Sequence, residues 1–413
     1  VSAYCEIAER LAVDVSFLWL LRAIAINQPN YRRLDIIAID QRIEAQFDGL
    51  LTAPEEAWNI CFNAIDVHDS GEIFAAAVLA FSSMDVVKIR QVVERGMANK
   101  HTVLGLASAL AWLPEHICHR WIKKFFTSKD LNHKYLAVVA CSLRRDNPGD
   151  YLTSIFQRKD CIAHELLYAR ALRLVGELKR RDLSLALSIA LQSDKPATVF
   201  WAAWSSVLLG EKSAVKFLRP FVLTKSLYQV KAIELAFRVL PISEAHNWIA
   251  VLAKDPEQIR NVIKSSAVLG DPQVINWLIE QMRIPILARL AGEAFSTITG
   301  VDLDDNRLAL STLPKLLLNG PNEDPQDSDV SMDEDEHLPF PNVDKIATVW
   351  SKYQQSFSVG SRYFMGKSIN EDDLVAIFKA GNQRQRRAAA FELALLKPAQ
   401  LLLHHAAKEA MVE

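Results

Sequence analysis

Apolar positions in the middle of the chain recur every thirty residues. Val215, Ala245 and Ile275 form one column, Leu218, Trp248 and Leu278 a second, and Val222, Leu252 and Met282 a third. The columns are offset by three and then four residues, so each copy carries one stripe of an amphipathic helix. Upstream of each stripe lies another helical stretch built on small residues. Ala202, Ala232, Val262 and Gly292 occupy one of its columns, and Ser206, Ala236, Ser266 and Ser296 another. Small side chains there let a neighbouring helix approach closely. Between the two stretches stands a breaker: Gly210, then Leu240-Pro241, then Gly270 with Pro272, then Gly300. Glycine accepts the positive φ that ends a helix, and proline cannot extend one. The phrases SSVLLGE (205–211) and SSAVLGD (265–271) are two copies of this junction, and Asp271 is placed to cap the helix that follows.

Looser copies run upstream in FAAAVLAFSS (74–83), LASALAWLP (106–114), LAVVACSLRRDNP (136–148) and ARALRLVGELKRRD (169–182). Breakers at this spacing defeat a coiled coil. The pattern predicts an all-α chain, a HEAT-like α-solenoid of seven to eight helical pairs over residues 70–304. Residues 1–69, with the stripe Ile36, Ile39, Ile43 and Phe47, read as an N-terminal helical cap. After Gly300 the period fails. Residues 305–342 read as an acidic, proline-containing linker, and 343–413 as a small C-terminal helical module. In the module Ile346, Val349, Trp350 and Tyr353 make a stripe, and Asn370 precedes three acids as a helix cap. GSRYFMGKS (360–368) reads as a turn or short hairpin.

Charge changes this picture at one place. The net charge is −2, but nine acids and no Lys or Arg lie between Leu316 and Asp344. Setting those aside leaves about +7 on the rest, a mildly basic remainder. So polar a stretch predicts a flexible linker. Its functional reading is an acidic peptide, carried by Glu323, Asp324, Asp333, Glu334, Asp335 and Glu336, that docks on a basic surface such as the chain's own repeats. Five dispersed cysteines argue for a reducing, cytoplasmic setting. The apolar run 15–21 is too short to span a bilayer, and no leader is visible.

Reactive chemistry is not spelled out. His116, Cys118 and His119 lack the paired spacing of a zinc site, His164-Glu165 lacks the second histidine of a metalloprotease helix, and His404-His405 stand near a terminus expected to fray. No phosphate loop or nucleophile elbow is present. The expectation is therefore no metal, no cofactor and no enzyme. Candidate partner contacts are Trp201 and Trp204, of which one is expected to line a surface, together with Arg362, Arg384, Arg386 and Arg387. A binding protein for another protein fits this set better than a nucleic-acid reader, which needs a strong basic stripe.

The phrases FLWLLR (17–22), EIFAAAVLAF (72–81), FWAAWSSVLLG (200–210), WLIEQM (277–282), ARLAGEAFSTITGVDL (288–303), GSRYFMG (360–366) and RQRRAAAFELALL (384–396) resemble an uncharacterised proteobacterial HEAT-like family across nearly the whole chain. Where that family usually has Leu-Pro-Trp-Pro, this chain has Leu338-Pro339-Phe340-Pro341. The resemblance implies a role beside type VI secretion spike proteins, as an adaptor or chaperone for an effector, or as an immunity protein. It implies no catalytic residue.

Overall fold

The computed structural model describes residues 3–65, 69–310 and 333–408. Among these residues are twenty-two α-helices, a few short 3-10 helices and one hairpin of two-residue strands. The architecture is all-α. No described helix is long and apolar enough to cross a membrane. The chain forms two compact units. One holds residues 1–211, 379–390 and 397–413, and the other holds 212–378 and 391–396. These units do not follow the boundaries at 69, 304 and 342, and residues 343–413 do not form a module of their own.

In the first unit the helices Ser70–Ser83, Thr102–Trp112, Leu131–Arg144, Glu165–Glu177 and Pro196–Leu208 pack each on the next. Small residues set the spacing. A Cβ on Gly105 would stand 2.0 Å from the Ser70 carbonyl oxygen, and one on Gly176 would stand 2.7 Å from Ser205 Cα. Ser205 belongs to the repeated serine pair, and its hydroxyl donates to the Leu172 carbonyl at 2.7 Å. The N-terminal helix Ala3–Ala25 packs on Ser70–Ser83, and Arg33–Leu50 buries Ile36, Ile39, Ile43 and Phe47. The N-terminal helices thus belong to the same packed unit as the repeats.

In the second unit Gln229–Val239, Ile259–Leu269 and Pro285–Thr299 pack in the same serial manner. All nine members of the three sequence columns are buried. After Gly210 the expected second helix is instead a 3-10 stretch, Lys212–Leu218, followed by the short α-helix Arg219–Leu223. Pro220 has no N–H to give, so it is tolerated only where a new helix starts. Val215, Leu218 and Val222 are buried nonetheless.

Gly270 and Gly300 close their helices at φ +75 and +72. They also serve as landing points. The hairpin pairs Tyr363 with Ser368 and Phe364 with Lys367, turning through Met365 and Gly366 at positive φ. Tyr363 N–H donates to the Gly270 carbonyl at 2.9 Å, and Gly366 N–H to the Ile298 carbonyl at 3.0 Å. A Cβ on Gly270 would lie 2.3 Å from the Tyr363 oxygen. Gly360 has a similar φ of +80 with nothing near its Cβ position. We therefore predict that Gly270→Ala loses about 2 kcal/mol more in urea unfolding than Gly360→Ala. The left-handed backbone costs both variants about 1 kcal/mol, and only the first adds a steric clash. Equal losses would refute the landing role.

Candidate functional site

Where a helix ends, its last carbonyls have no partner in their own helix. In both units these ends are met by cationic side chains or by an extended stretch of chain. Arg144 donates to the Ala111 and Leu113 carbonyls at 3.1 Å each. Lys134 reaches the Phe126 carbonyl and Lys179 the Leu208 carbonyl. Cations are favoured here because the helix dipole is negative at its C-terminus.

The densest such place surrounds Glu177, the last residue of Glu165–Glu177 and fully buried. Ser142 Oγ donates to its carboxylate, Arg173 Nε donates at 2.8 Å, and Arg145 lies 3.2 Å away. Arg170 reaches the same Ser142 hydroxyl at 2.7 Å, while its Nε finds no acceptor among the described residues. Burial alone would raise the Glu177 carboxyl. Arg145, Arg173, Arg170 and the Ser142 hydroxyl outweigh it and hold the group at about 2. Burial pulls Arg170 down to about 9. Three guanidinium groups thus face one carboxylate, leaving a cationic excess.

Trp201 forms an aromatic shelf beside this cluster, with the Arg173 guanidinium 4.8 Å from its ring centroid. Its neighbour Trp204 meets it edge-on at 5.4 Å and is buried. Trp204 packs in the core and Trp201 is half-buried. The spacing could not show which of the two would be buried.

Over this edge runs the C-terminal segment. Pro398 lies beside Gly210 at the end of Pro196–Leu208. Leu402 N–H donates to the Glu177 carbonyl at 3.1 Å, and Arg145 Nε donates to the Leu402 carbonyl at 3.0 Å. Four residues on, Arg22 donates to the Ala406 carbonyl at 2.9 Å while its guanidinium also pairs with Asp40. Lys408 ends the run against Glu44 at 2.5 Å, its ammonium 4.4 Å from the Trp112 ring centroid. The segment therefore passes the helix ends in reverse order. His404 and His405 are not at a frayed end but largely enclosed beneath it.

The remaining sequence candidates fall elsewhere. Arg384 donates to the Asn27 carbonyl at 3.2 Å, Arg386 is buried against Gln383, and Arg387 is half-buried, so these three do not form an open basic patch. Burial lowers Arg386 to about 10. Arg362 is spent within the second unit. It donates to the Leu269 and Arg238 carbonyls at 3.0 and 2.9 Å and pairs with Glu392 at 2.6 Å. Glu323 and Asp324 lie outside the described residues. Residues 333–342 do not behave as a linker: Leu338 and Phe340 are buried, and Asn342 N–H donates to the Leu308 carbonyl at 2.6 Å. Asp335 pairs with Arg260, and Glu334 with Lys264; Glu336 closes the turn through its N–H to the Asp333 carbonyl. Cys118 is buried, with its thiol pushed up to about 12 by that burial, and His119 bonds Asp146 at 2.9 Å. Among the described residues no group of three His, Cys, Asp or Glu side chains is arranged to hold a metal.

The enclosed histidines give the site a pH dependence. Burial, with Arg145 and His405 near the first and Arg387, Arg386 and Arg145 near the second, lowers His404 well below 6.5 and His405 to about 3. Glu177 opposes this weakly at His404, and Arg22 adds to it. A released tail takes up protons near pH 6.5 that the docked tail refuses. The docked state is therefore favoured most above about pH 7 and weakens below 6.5, by about 1.4 kcal/mol per histidine per pH unit. Trypsin cleavage after Lys408, scaled to a free tail peptide, is predicted to be at least about tenfold faster at pH 5.5 than at 7.5. His404→Phe with His405→Phe should flatten the profile; a flat wild-type profile would refute the account. Comparison with models of known families, with curated proteins and with solved structures finds no match to this chain.

Proposed function

We propose that this protein is a non-catalytic binding scaffold, a HEAT-like α-solenoid whose row of helix ends grips an extended stretch of another protein. The observation that carries the reading is the path of residues 398–408, a peptide seated largely by its main chain along the helix ends of the first unit. Main-chain recognition depends on geometry more than on side-chain identity, so a partner segment of similar path can take the same place. Trp201 and Arg173 beside it have the character of binding anchors. A second support is the outer face of Ala3–Ala25, where Val13, Phe17 and Leu20 are exposed and border a groove of about 490 Å³.

The same residues argue against other classes. Glu177, held at about 2, stays ionised through neutral pH and is a poor proton donor there. Arg145, Arg173 and Arg22 pair with Glu177, Asp40 and carbonyl oxygens, which weakens the case for a phosphate-reading stripe of the base-excision kind. The phrases led by AGEAFSTITGVDL direct the partner toward a type VI secretion effector or spike, with this cytoplasmic protein as its adaptor or chaperone. An immunity protein that caps a toxin would use the same surface.

Capture of the tagged chain from its native host, followed by size exclusion, is predicted to return a stoichiometric protein partner. Arg173→Ala with Trp201→Ala should cut its affinity by about tenfold or more with helicity unchanged. Recovery of nuclease-sensitive nucleic acid instead, or a partner indifferent to both changes, would overturn the proposal. Loss of effector secretion without toxicity on deleting the gene assigns the adaptor role; rescue of cells expressing the effector assigns immunity.

A further inference from the structure

The second unit carries a separate cationic groove of about 660 Å³, within the range of sites that hold ligands. Its walls are the helices Ile259–Leu269 and Pro285–Thr299, with Val230 from Gln229–Val239 at the rim. Arg260 and Lys264 stand one turn apart on the first helix, and Arg289 faces them from the second. Val230 and Ile286 are exposed beside these cations, at 44% and 74%. Neither the thirty-residue period nor the local charge count distinguishes these three cations from ordinary surface residues.

The groove already holds acid. Asp335 meets Arg260 at 2.7 Å, Glu334 meets Lys264 at 2.9 Å, and Asp333 lies 3.7 Å from Arg289. The Asp333 carboxylate shapes the segment by accepting the Asp335 N–H at 2.9 Å. The fit is incomplete. Asp335 is buried, yet its Oδ1 has no hydrogen-bond partner among the described residues, and neither has Arg289 Nε. A buried carboxylate oxygen and a buried guanidinium N–H left unmatched each carry a desolvation cost. The space beside them, and the exposed Val230 and Ile286, are not filled by residues 333–335.

We propose that this groove is a binding site for an acidic peptide of a partner protein, carrying adjacent carboxylates and an apolar residue, and that Asp333–Asp335 occupy it in competition. Arg260 and Lys264 take the carboxylates, Arg289 donates its unmatched N–H, and Val230 with Ile286 receives the apolar side chain. The tethered segment competes at high effective concentration, so the groove's intrinsic affinity is masked in the resting chain. The proposal deepens the binding-scaffold reading by naming a partner chemistry. It concerns different residues from Arg173 and Trp201, so either test can fail while the other holds.

The test uses the full chain and a labelled peptide of residues 327–340, DSDVSMDEDEHLPF, followed by fluorescence anisotropy. Asp333→Asn, Glu334→Gln and Asp335→Asn together empty the groove of charge. This variant is expected to bind the peptide at least about tenfold more tightly than wild type, with affinity falling as salt rises. Arg260→Glu with Lys264→Glu is expected to abolish binding. If that pair loses helicity, Arg260→Gln with Lys264→Gln replaces it and should weaken binding at least about tenfold. Equal binding by wild type and the triple variant, or binding that survives loss of the cations, overturns the proposal. So does a twelve-residue oligothymidylate bound as tightly as the peptide, which would make the groove a general polyanion surface.

Discussion

The constraint on which this structure turns is the set of carbonyls left over at the C-terminal ends of its packed helices. Stacking helices on small residues brings those ends close together, as at Gly176 and Ser205. Carbonyls gathered in this way cannot be left dry without cost, and the helix dipoles add negative potential to the same edge. The chain answers with Arg144, Lys134, Lys179 and Arg362, each from a site outside the helix it serves. It answers also with non-helical backbone, residues 398–408 with their two turns in one unit and the 363–368 hairpin in the other. An edge that needs N–H donors is here met by the chain's own backbone.

The Glu177 cluster follows from the same demand. Arginines drawn to helix ends accumulate charge in a poorly solvated place, and a buried carboxylate among them moderates the repulsion. Such a cluster is weak evidence for added stability, because desolvation takes back much of the Coulomb gain. Its effect is on specificity: removing any one partner strands another, so the helices that carry Ser142, Arg145, Arg173 and Glu177 hold one register. The Arg362–Glu392–Arg238 group does this in the second unit, with Arg238 and Glu392 3.2 Å apart.

Much of the helical order was legible in the residues. The columns through Val215, Leu218 and Val222 all face the core, Gly270 and Gly300 end helices at positive φ, and Asn370 Oδ1 accepts the Asp373 N–H at 3.0 Å as a cap. These are local effects, written at separations of three, four or thirty. What the sequence concealed acts over longer separations. Leu402 meets Glu177, Arg362 meets Leu269, and Asp335 meets Arg260, with nothing in the spacing to announce the pairing. The acidic stretch read first as a flexible linker, with docking as its functional alternative, and the cations that residues 333–335 meet are ordinary members of a helix face. Glu177 carried no signal at all, since its character comes from three arginines on two helices.

The strength of the self-docked segments decides whether the edge can serve a partner. Ordering a residue costs about 1–2 kcal/mol, and a net hydrogen bond returns about 1 kcal/mol. Residues 398–408 make few main-chain bonds for their length, and their side chains bury only Leu402 and Ala406 deeply. Their enclosed histidines further lower the gain whenever protons are plentiful. A segment held on these terms rests on a few contacts rather than on a deep apolar anchor. A partner strand with better-filled contacts needs only a modest advantage to take its place, because the helix ends it must satisfy are the same. On the scaffold reading we propose, the feature that completes the fold is also the place for which a partner would compete.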